Sequence, residues 1–284
     1  MAAIPQYSRS LRRSMVDFLD LLAKAAMENI REGYYSRHSA SGSLNQHGKR
    51  SLRDAILGCR RAAIVPEIKF ASPSAGILRA DKSDVESIAR EMVSAGAVGI
   101  SVLTEPKYFS GSLETFIKVR LSVDAPLLMK DIILSRCQID AARRLGADAI
   151  LLIVSIFERG YCEMGIDEMI DYSHSMGLEV LLETHDPSEF KTALSTKADM
   201  IGINNRDLRT LKVDINTTKA ILEKAGRLRV EGRPIISESG IKSPEDICFL
   251  RKYGVDAFLI GTAVMSAKNI RDFVTRLVNA YEKG

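Results

Sequence analysis

The sequence predicts an α/β fold, a (β/α)8 TIM barrel with an N-terminal helical extension. Three observations point there. A helix-to-strand junction recurs along the chain, short apolar runs fall between its copies, and charged side chains stand at the ends of the strands so defined. The junction joins the end of a helical pattern, a small turn and an apolar strand. Its copies are Ala95-Gly96-Ala97-Val98-Gly99-Ile100, Leu145-Gly146-Ala147-Asp148-Ala149-Ile150, Thr196-Lys197-Ala198-Asp199-Met200-Ile201 and Tyr253-Gly254-Val255-Asp256-Ala257-Phe258. They recur about every 50 to 57 residues, the length of one βαβα unit. Glycine in the turn suits a left-handed residue just past a helix, with Lys197 as the exception.

Residues 1–60 read as a helical extension that belongs to the same domain as the barrel, which takes residues 61–284. In the extension, Met15, Phe18, Leu19, Leu22, Ala26 and Ile30 fall at helical spacing and predict an amphipathic helix. Ser36 to Ser51, rich in Ser, Gly and Asn, reads as a flexible loop, and a shorter helix from Ser51 to Cys59 leads into the first strand. Periodicity leaves open whether these helices cover the barrel bottom or shape its mouth.

In the barrel, the runs Ala63 to Lys69, Pro126 to Lys130, Glu179 to Thr184 and Pro234 to Ser239 interleave with the junctions to make eight strands. Their nearly continuous apolar character is that of strands buried on both faces. Between them, Ser83 to Ser94 puts Val85, Ile88, Ala89 and Met92 on one helical face, and Ser135 to Leu145 does the same with Ile139, Ala142 and Leu145. Ser135, Pro187 and Ser243-Pro244 are start signals. A doubly wound open sheet is the alternative, but it usually announces a G-x-G-x-x-G after its first strand and none is present.

Composition excludes several classes. Hydrophobic residues at 46% and charged residues at 27% fit an ordinary globular protein. A net charge of +4 spread along the chain argues against a nucleic-acid partner. The longest apolar run, Ala149 to Val154, is far below the roughly 20 residues that span a bilayer, so no membrane partner is expected. Asp17 and Asp20 interrupt the apolar stretch after Arg9, Arg12 and Arg13, which removes a secretory core and leaves the cytoplasm as the default location. Cys59, Cys137, Cys162 and Cys248 lie far apart and read as reduced, mostly buried thiols. The histidines His38, His47, His174 and His185 show no metal-ligand spacing, so no protein-held metal is expected. Nothing calls for a second chain, and the expectation is a monomer with a small phosphorylated substrate.

Catalytic groups of this fold sit at the C-terminal strand ends, so polar residues there are informative. Strand one ends Glu67-Ile68-Lys69, with Glu67 and Lys69 on the same side by alternation. Lys130-Asp131, Glu183, Asn204-Asn205-Arg206, Glu238-Ser239-Gly240 and Gly261-Thr262 end strands three, five, six, seven and eight. A single such charge is more often a solvated strand end. Two lysines and three glutamates on one ring would shift one another's pKa values, and a lysine in partly apolar surroundings can donate a proton near neutral pH. The small residues after strands seven and eight, Ser239-Gly240 and Gly261-Thr262, match the recurrent phosphate site of the fold, although tight turns alone would also explain them.

Read together, Glu67-Ile68-Lys69-Phe70-Ala71-Ser72-Pro73-Ser74, Leu103-Thr104-Glu105 with Tyr108-Phe109-Ser110-Gly111, Leu128-Met129-Lys130-Asp131, Leu182-Glu183, Ile201-Gly202-Ile203-Asn204-Asn205-Arg206-Asp207-Leu208, Ser237-Glu238-Ser239-Gly240-Ile241 and Phe258-Leu259-Ile260-Gly261 resemble indole-3-glycerol phosphate synthase. The resemblance runs in order from residue 63 onward. It implies a cofactor-free carboxy-lyase of tryptophan biosynthesis that turns 1-(2-carboxyphenylamino)-1-deoxyribulose 5-phosphate into indole-3-glycerol phosphate, carbon dioxide and water. By the same resemblance, Lys130 is the general acid, Lys69 with Glu67 assists dehydration and the phosphate end, and Glu183 relays protons. Asn204 and Glu238 orient substrate groups, and Arg206 lies near the substrate carboxylate. Ser72, Ser239, Gly240, Gly261 and Thr262 hold phosphate, with Phe109, Ile132, Leu208 and Leu259 lining the site.

Two positions depart from the family pattern. Ile132 stands where many relatives carry an aromatic residue, and Phe70 replaces a common basic one. A rival enzyme, phosphoribosylanthranilate isomerase, would want Cys near the end of strand one and Asp on strand six, where this chain has Lys69 and Asn204. A barrel that binds a phosphometabolite without turning it over is the non-enzymatic rival, and Lys130, Glu183 and Lys69 argue against it.

Overall fold

The computed structural model describes residues 17–37, 50–72, 76–226 and 232–282. Eight parallel strands close on themselves: β1 (Ala63–Ile68), β2 (Ile100–Leu103), β3 (Leu127–Lys130), β4 (Ala149–Ile153), β5 (Glu179–Thr184), β6 (Met200–Asn204), β7 (Ile235–Glu238) and β8 (Ala257–Ile260). The register Ala63↔Ala257 and Ile64↔Phe258 between β1 and β8 seals the barrel and excludes the open-sheet alternative. Around it run α3 (Val85–Ser94), α4 (Pro106–Phe109), α5 (Leu113–Ser122), α6 (Arg136–Arg144), α7 (Val154–Glu158), α8 (Ile166–Ser175), α9 (Pro187–Ser195), α10 (Asn216–Ala225), α11 (Pro244–Arg251), α12 (Thr262–Met265) and α13 (Ile270–Val278).

Local chemistry explains the boundaries. Ser135 caps α6 with Gln138 in a capping box, Ser243 caps α11 ahead of Pro244, and Asp186 caps α9 ahead of Pro187. Gly96, Gly146 and Gly254 have φ of 96°, 80° and 95°, the left-handed turn the recurring junction anticipated. The face of α3 expected to be apolar is the one buried, with Val85, Ile88, Ala89 and Met92 inside. Gly261 caps the one-turn helix α12, which Thr262 opens. A two-stranded ribbon of Ala71–Ser72 and Gly76–Ile77 follows β1, which the sequence did not indicate.

Strand alternation divides the apolar side chains into two sets. Outward residues such as Ile64, Met129 and Leu182 pack under the helices. Inward residues such as Val65, Leu128, Leu151 and Leu181 fill the barrel interior. One further inward step along β1, β3, β5, β6 and β7 brings Glu67, Lys130, Glu183, Asn204 and Glu238 to the C-terminal rim.

The two helices of the extension go to opposite ends. The shorter, α2 (Leu52–Gly58), closes the N-terminal end: Leu52 and Ile56 are fully buried, and the Leu52 and Arg53 amides donate to Glu179 at the start of β5 at 2.8 and 3.1 Å. The longer, α1 (Phe18–Arg31), lies over the catalytic face, where Phe18, Leu19 and Leu22 line the central cavity. Leu19 and Leu22 each contribute about 1.5–3 kcal/mol on burial. Arg159, just past α7, ties α1 down through Asp17 at 2.8 Å and Asp20 at 2.7 Å, and Phe18 meets Tyr108 edge to face at 5.3 Å. Met15 and the loop residues 38–49 lie outside the described residues.

All four cysteines are free, as expected, but none is fully buried: each is half-buried. No helix among the described residues is long and apolar enough to cross a membrane.

Candidate active site

At the C-terminal rim a cavity of about 360 Å³ opens under α1. Its wall holds Lys69, Glu67, Lys130, Glu183, Asn204, Ser72, Phe109, Ile132, Arg206, Leu208, Ser239, Gly240, Leu259, Gly261 and Thr262. Each of these was expected from the sequence. Glu238 is the exception. It is fully buried behind Lys130 and does not reach the cavity surface, because the Lys130 ammonium lies across it.

Lys130 Nζ sits 2.5 Å from Glu238 Oε2, 3.5 Å from Glu67 Oε2 and 3.8 Å from Glu183 Oε2. Lys69 Nζ pairs with the other oxygen of Glu67 at 2.9 Å. Burial by itself would lower the Lys130 ammonium, but Glu238, Glu67 and Glu183 outweigh it and hold Lys130 above the ordinary lysine range. The ring charges do shift one another, as expected, and for Lys130 the three carboxylates prevail over desolvation, which favours the ammonium form of a proton donor. At 2.5 Å, Glu238 and Lys130 are close enough to titrate as a pair.

The carboxylates respond in opposite ways. Burial pushes Glu67 up, yet Lys69 and Lys130 reverse the sign and hold it below its usual range. Glu183 likewise ends well below the usual carboxylate range, burial being overcome by His185 and Lys130. Glu238 moves up, through burial opposed by Lys130 and reinforced by Glu183 and Glu67. Glu183 is therefore held in its ionised form. Asp131 is pushed up to about 6 by burial; it accepts from the Thr104 hydroxyl at 2.6 Å and the Ile132 amide at 2.7 Å.

Two glycines make room for this cluster. A side-chain carbon at Gly202, inward on β6, would run into Glu238 Oε1. One at Gly261 would run into Glu67 Oε1 and stand 2.8 Å from Lys69 Nζ. Gly261→Ala is thus expected to displace the Glu67–Lys69 pair, lowering kcat/KM by roughly 100-fold, the scale for misplacing a catalytic group by about an ångström. Steady-state kinetics checks this. Wild-type kcat/KM in the alanine variant would refute a tight fit.

The β7 and β8 ends supply small residues. Ser239 and Gly240 both have positive φ, 67° and 85°, and Asn205 Nδ2 pins the turn by donating to the Ser239 carbonyl at 3.0 Å. Lys242, Ser266 and Phe273 complete this end. The opposite wall is apolar, with Phe18, Leu19, Leu22, Phe109, Ile132 and Ile153. Ile132 thus does line the cavity, whereas Phe70 points away from it, buried in the outer core with Lys82 Nζ 5.1 Å from its ring centre.

Several site residues escaped the sequence reading. The family resemblance favours the mouth for the helix that carries Phe18, Leu19 and Leu22 but does not single the three out as lining residues; Asn205 is read only as part of a polar strand end, and Lys242 carries no signal. His185 was set aside as a histidine without metal spacing, although it stands two residues after Glu183, an offset that shares a strand face.

A single family description, indole-3-glycerol phosphate synthase, matches residues 23–277. The chain belongs to that family. The indole-3-glycerol phosphate synthase of Methanocaldococcus jannaschii is 45% identical over 76% of this chain and 77% of its own length. That of Laribacter hongkongensis is 36% identical over 88% and 95%. Among solved structures, a thiamine phosphate pyrophosphorylase from Pyrococcus furiosus aligns with a TM-score of 0.56 at 19% identity, covering 81% of this chain and 97% of its own, which is a likeness of fold alone. The strand-end motifs of the synthase family are the segments that build the cavity wall.

Proposed function

We propose that the chain converts 1-(2-carboxyphenylamino)-1-deoxyribulose 5-phosphate to indole-3-glycerol phosphate with loss of carbon dioxide and water. The observation that carries this is a protonated Lys130 among three carboxylates, set between an apolar wall and a small-residue turn. The apolar wall suits the substrate's aromatic ring. Ser239, Gly240, Gly261 and Thr262, with Ser72 nearby, suit its phosphate, and Arg206 suits its carboxylate.

In this reading Lys130 protonates the ribulose carbonyl oxygen as the ring carbon bearing the carboxylate attacks. Carbon dioxide then leaves and the ring regains its aromaticity. Lys69, ion-paired with Glu67, protonates the departing hydroxyl as water. Glu183 takes the proton from the carbon next to nitrogen, which completes the indole. Asn204, whose side chain helps to hold Glu183 below the usual carboxylate range, orients substrate hydroxyls. Glu238 acts one step back, by holding Lys130 rather than by touching substrate. The reading takes a monomer as the working unit, the cytoplasm as its place and no cofactor as its requirement.

Purified protein mixed with the carboxyphenylamino-deoxyribulose phosphate is expected to develop indole fluorescence without added metal, and sulfate is expected to raise KM while leaving kcat unchanged. No fluorescence would overturn the reading. Fluorescence with no effect of sulfate would overturn the phosphate assignment alone.

A further inference from the structure

Behind Glu183 lies a second, polar cavity of about 400 Å³, separate from the substrate cavity but sharing the side chains of Leu19, Asn204, Arg206 and Leu208 with it. His185 stands in the partition. Glu183 faces the first cavity, and His185 and Glu189 face the second. His185 Nε2 is 3.2 Å from Glu183 Oε1, and Nδ1 is 3.2 Å from Glu189 Oε2. The two contacts differ in kind. Nδ1 meets a hydrogen-bonding oxygen, whereas the buried Nε2 has no aligned acceptor, so its contact with Glu183 is one of charge at short range. Glu189 is itself fixed, accepting from the Ser155 hydroxyl at 2.7 Å and from the His185 backbone amide at 2.7 Å.

Resting on the proposed reaction, we infer that His185, clamped by Glu189 and Ser155, is a positioning residue that keeps Glu183 ionised and turned toward Lys130. Each oxygen of Glu183 then has one cationic neighbour, Lys130 on the substrate side and His185 on the side of the second cavity. A base with only Lys130 for a partner would be pulled toward that ammonium, and its own proton affinity would rise with burial. The charges that face His185 favour its cationic form. Glu183 on β5 and Glu189 on α9 are in contact, and around the second cavity Glu158, Asp186 and Asp207 stand against Arg159, Arg206 and Arg209. Burial works against the imidazolium, but Glu183 and Glu189 carry it up to about 10.

The test is the pH dependence of kcat in two variants, His185→Asn and Glu189→Gln, with thermal midpoints measured alongside. Removing a cation this close to a carboxylate is expected to move the acid limb of the His185→Asn profile up by about one to three pH units, with little change in KM. Glu189→Gln keeps the shape and the His185 amide contact but lowers the imidazole's proton affinity, so its basic limb is expected to move down while its acid limb stays. Unmoved limbs in both variants, whatever their stability, would overturn the inference, since a merely structural histidine would change the midpoint and not the profile. If the wild-type chain forms no indole product, it is the proposed reaction that fails instead.

Discussion

Replacing Lys130 with alanine is expected to lower kcat by about 100- to 10,000-fold while the substrate still binds. Among the described residues, Lys130 is the one ammonium within 4 Å of Glu67, Glu183 and Glu238 together. Its chemical contribution is made only as charge develops on the carbonyl oxygen, so the loss should fall on kcat more than on KM. A second effect follows from the same geometry. Without the cation three buried carboxylates are left with less than their compensation, a situation that costs about 3–5 kcal/mol for one broken buried pair. Glu67 keeps Lys69 and Glu183 keeps His185, but Glu238, already raised by burial, would rise further above its unfolded value, and an acid of that kind destabilises the fold above its unfolded pKa and ceases to do so as it becomes protonated. The stability deficit of Lys130→Ala relative to wild type is therefore expected to be largest at neutral pH and to shrink as pH falls. Thermal midpoints at several pH values, read beside single-turnover kinetics, check both parts. A variant retaining more than about a tenth of the wild-type rate would contradict the general-acid role.

Glu183→Gln is expected to cost a similar 100- to 10,000-fold in kcat, because the amide keeps the shape and cannot accept a proton. A change confined to KM would make Glu183 a binding residue. The pH signature has a definite sign. Glu183 is depressed below the usual carboxylate range by His185 and Lys130 acting against burial. A carboxylate with a depressed folded pKa contributes stability above its unfolded pKa and loses it as pH falls through the folded one. Wild type should therefore be more stable than Glu183→Gln near neutrality, and the gap should narrow as pH drops below about 4, the usual glutamate range. The variant also sets Lys130 and His185 across an uncharged group, so both cations lose an anionic neighbour and their proton affinities should fall.

Much of this molecule was legible in its linear order, for reasons that are local. Helix faces, strand alternation and capping each depend on a few neighbouring residues, so Val85, Ile88, Ala89 and Met92 could be assigned to one buried face and Ser135 and Ser243 to helix starts. The barrel rule then carried Lys69, Lys130, Glu183 and Asn204 to one rim, because inward positions at parallel strand ends must converge once the sheet closes. What only the tertiary structure decided are matters of distance across the barrel. The helices α1 and α2 have similar apolar stripes, and nothing in their periodicity distinguishes Leu19 over the mouth from Leu52 at the bottom; the anchors Arg159 and Glu179, far away in sequence, make that choice. Glu238 and Glu67 both end strands, yet only the fold puts Glu238 behind Lys130 and Glu67 between two lysines. The sign of the Lys130 shift hangs on the same distances, since its desolvation and its three carboxylate neighbours oppose each other and a strand end by itself states neither. Gly202 and Gly261 look like loose strand positions in sequence, and their reason for lacking a side chain is the space taken by carboxylates from neighbouring strands.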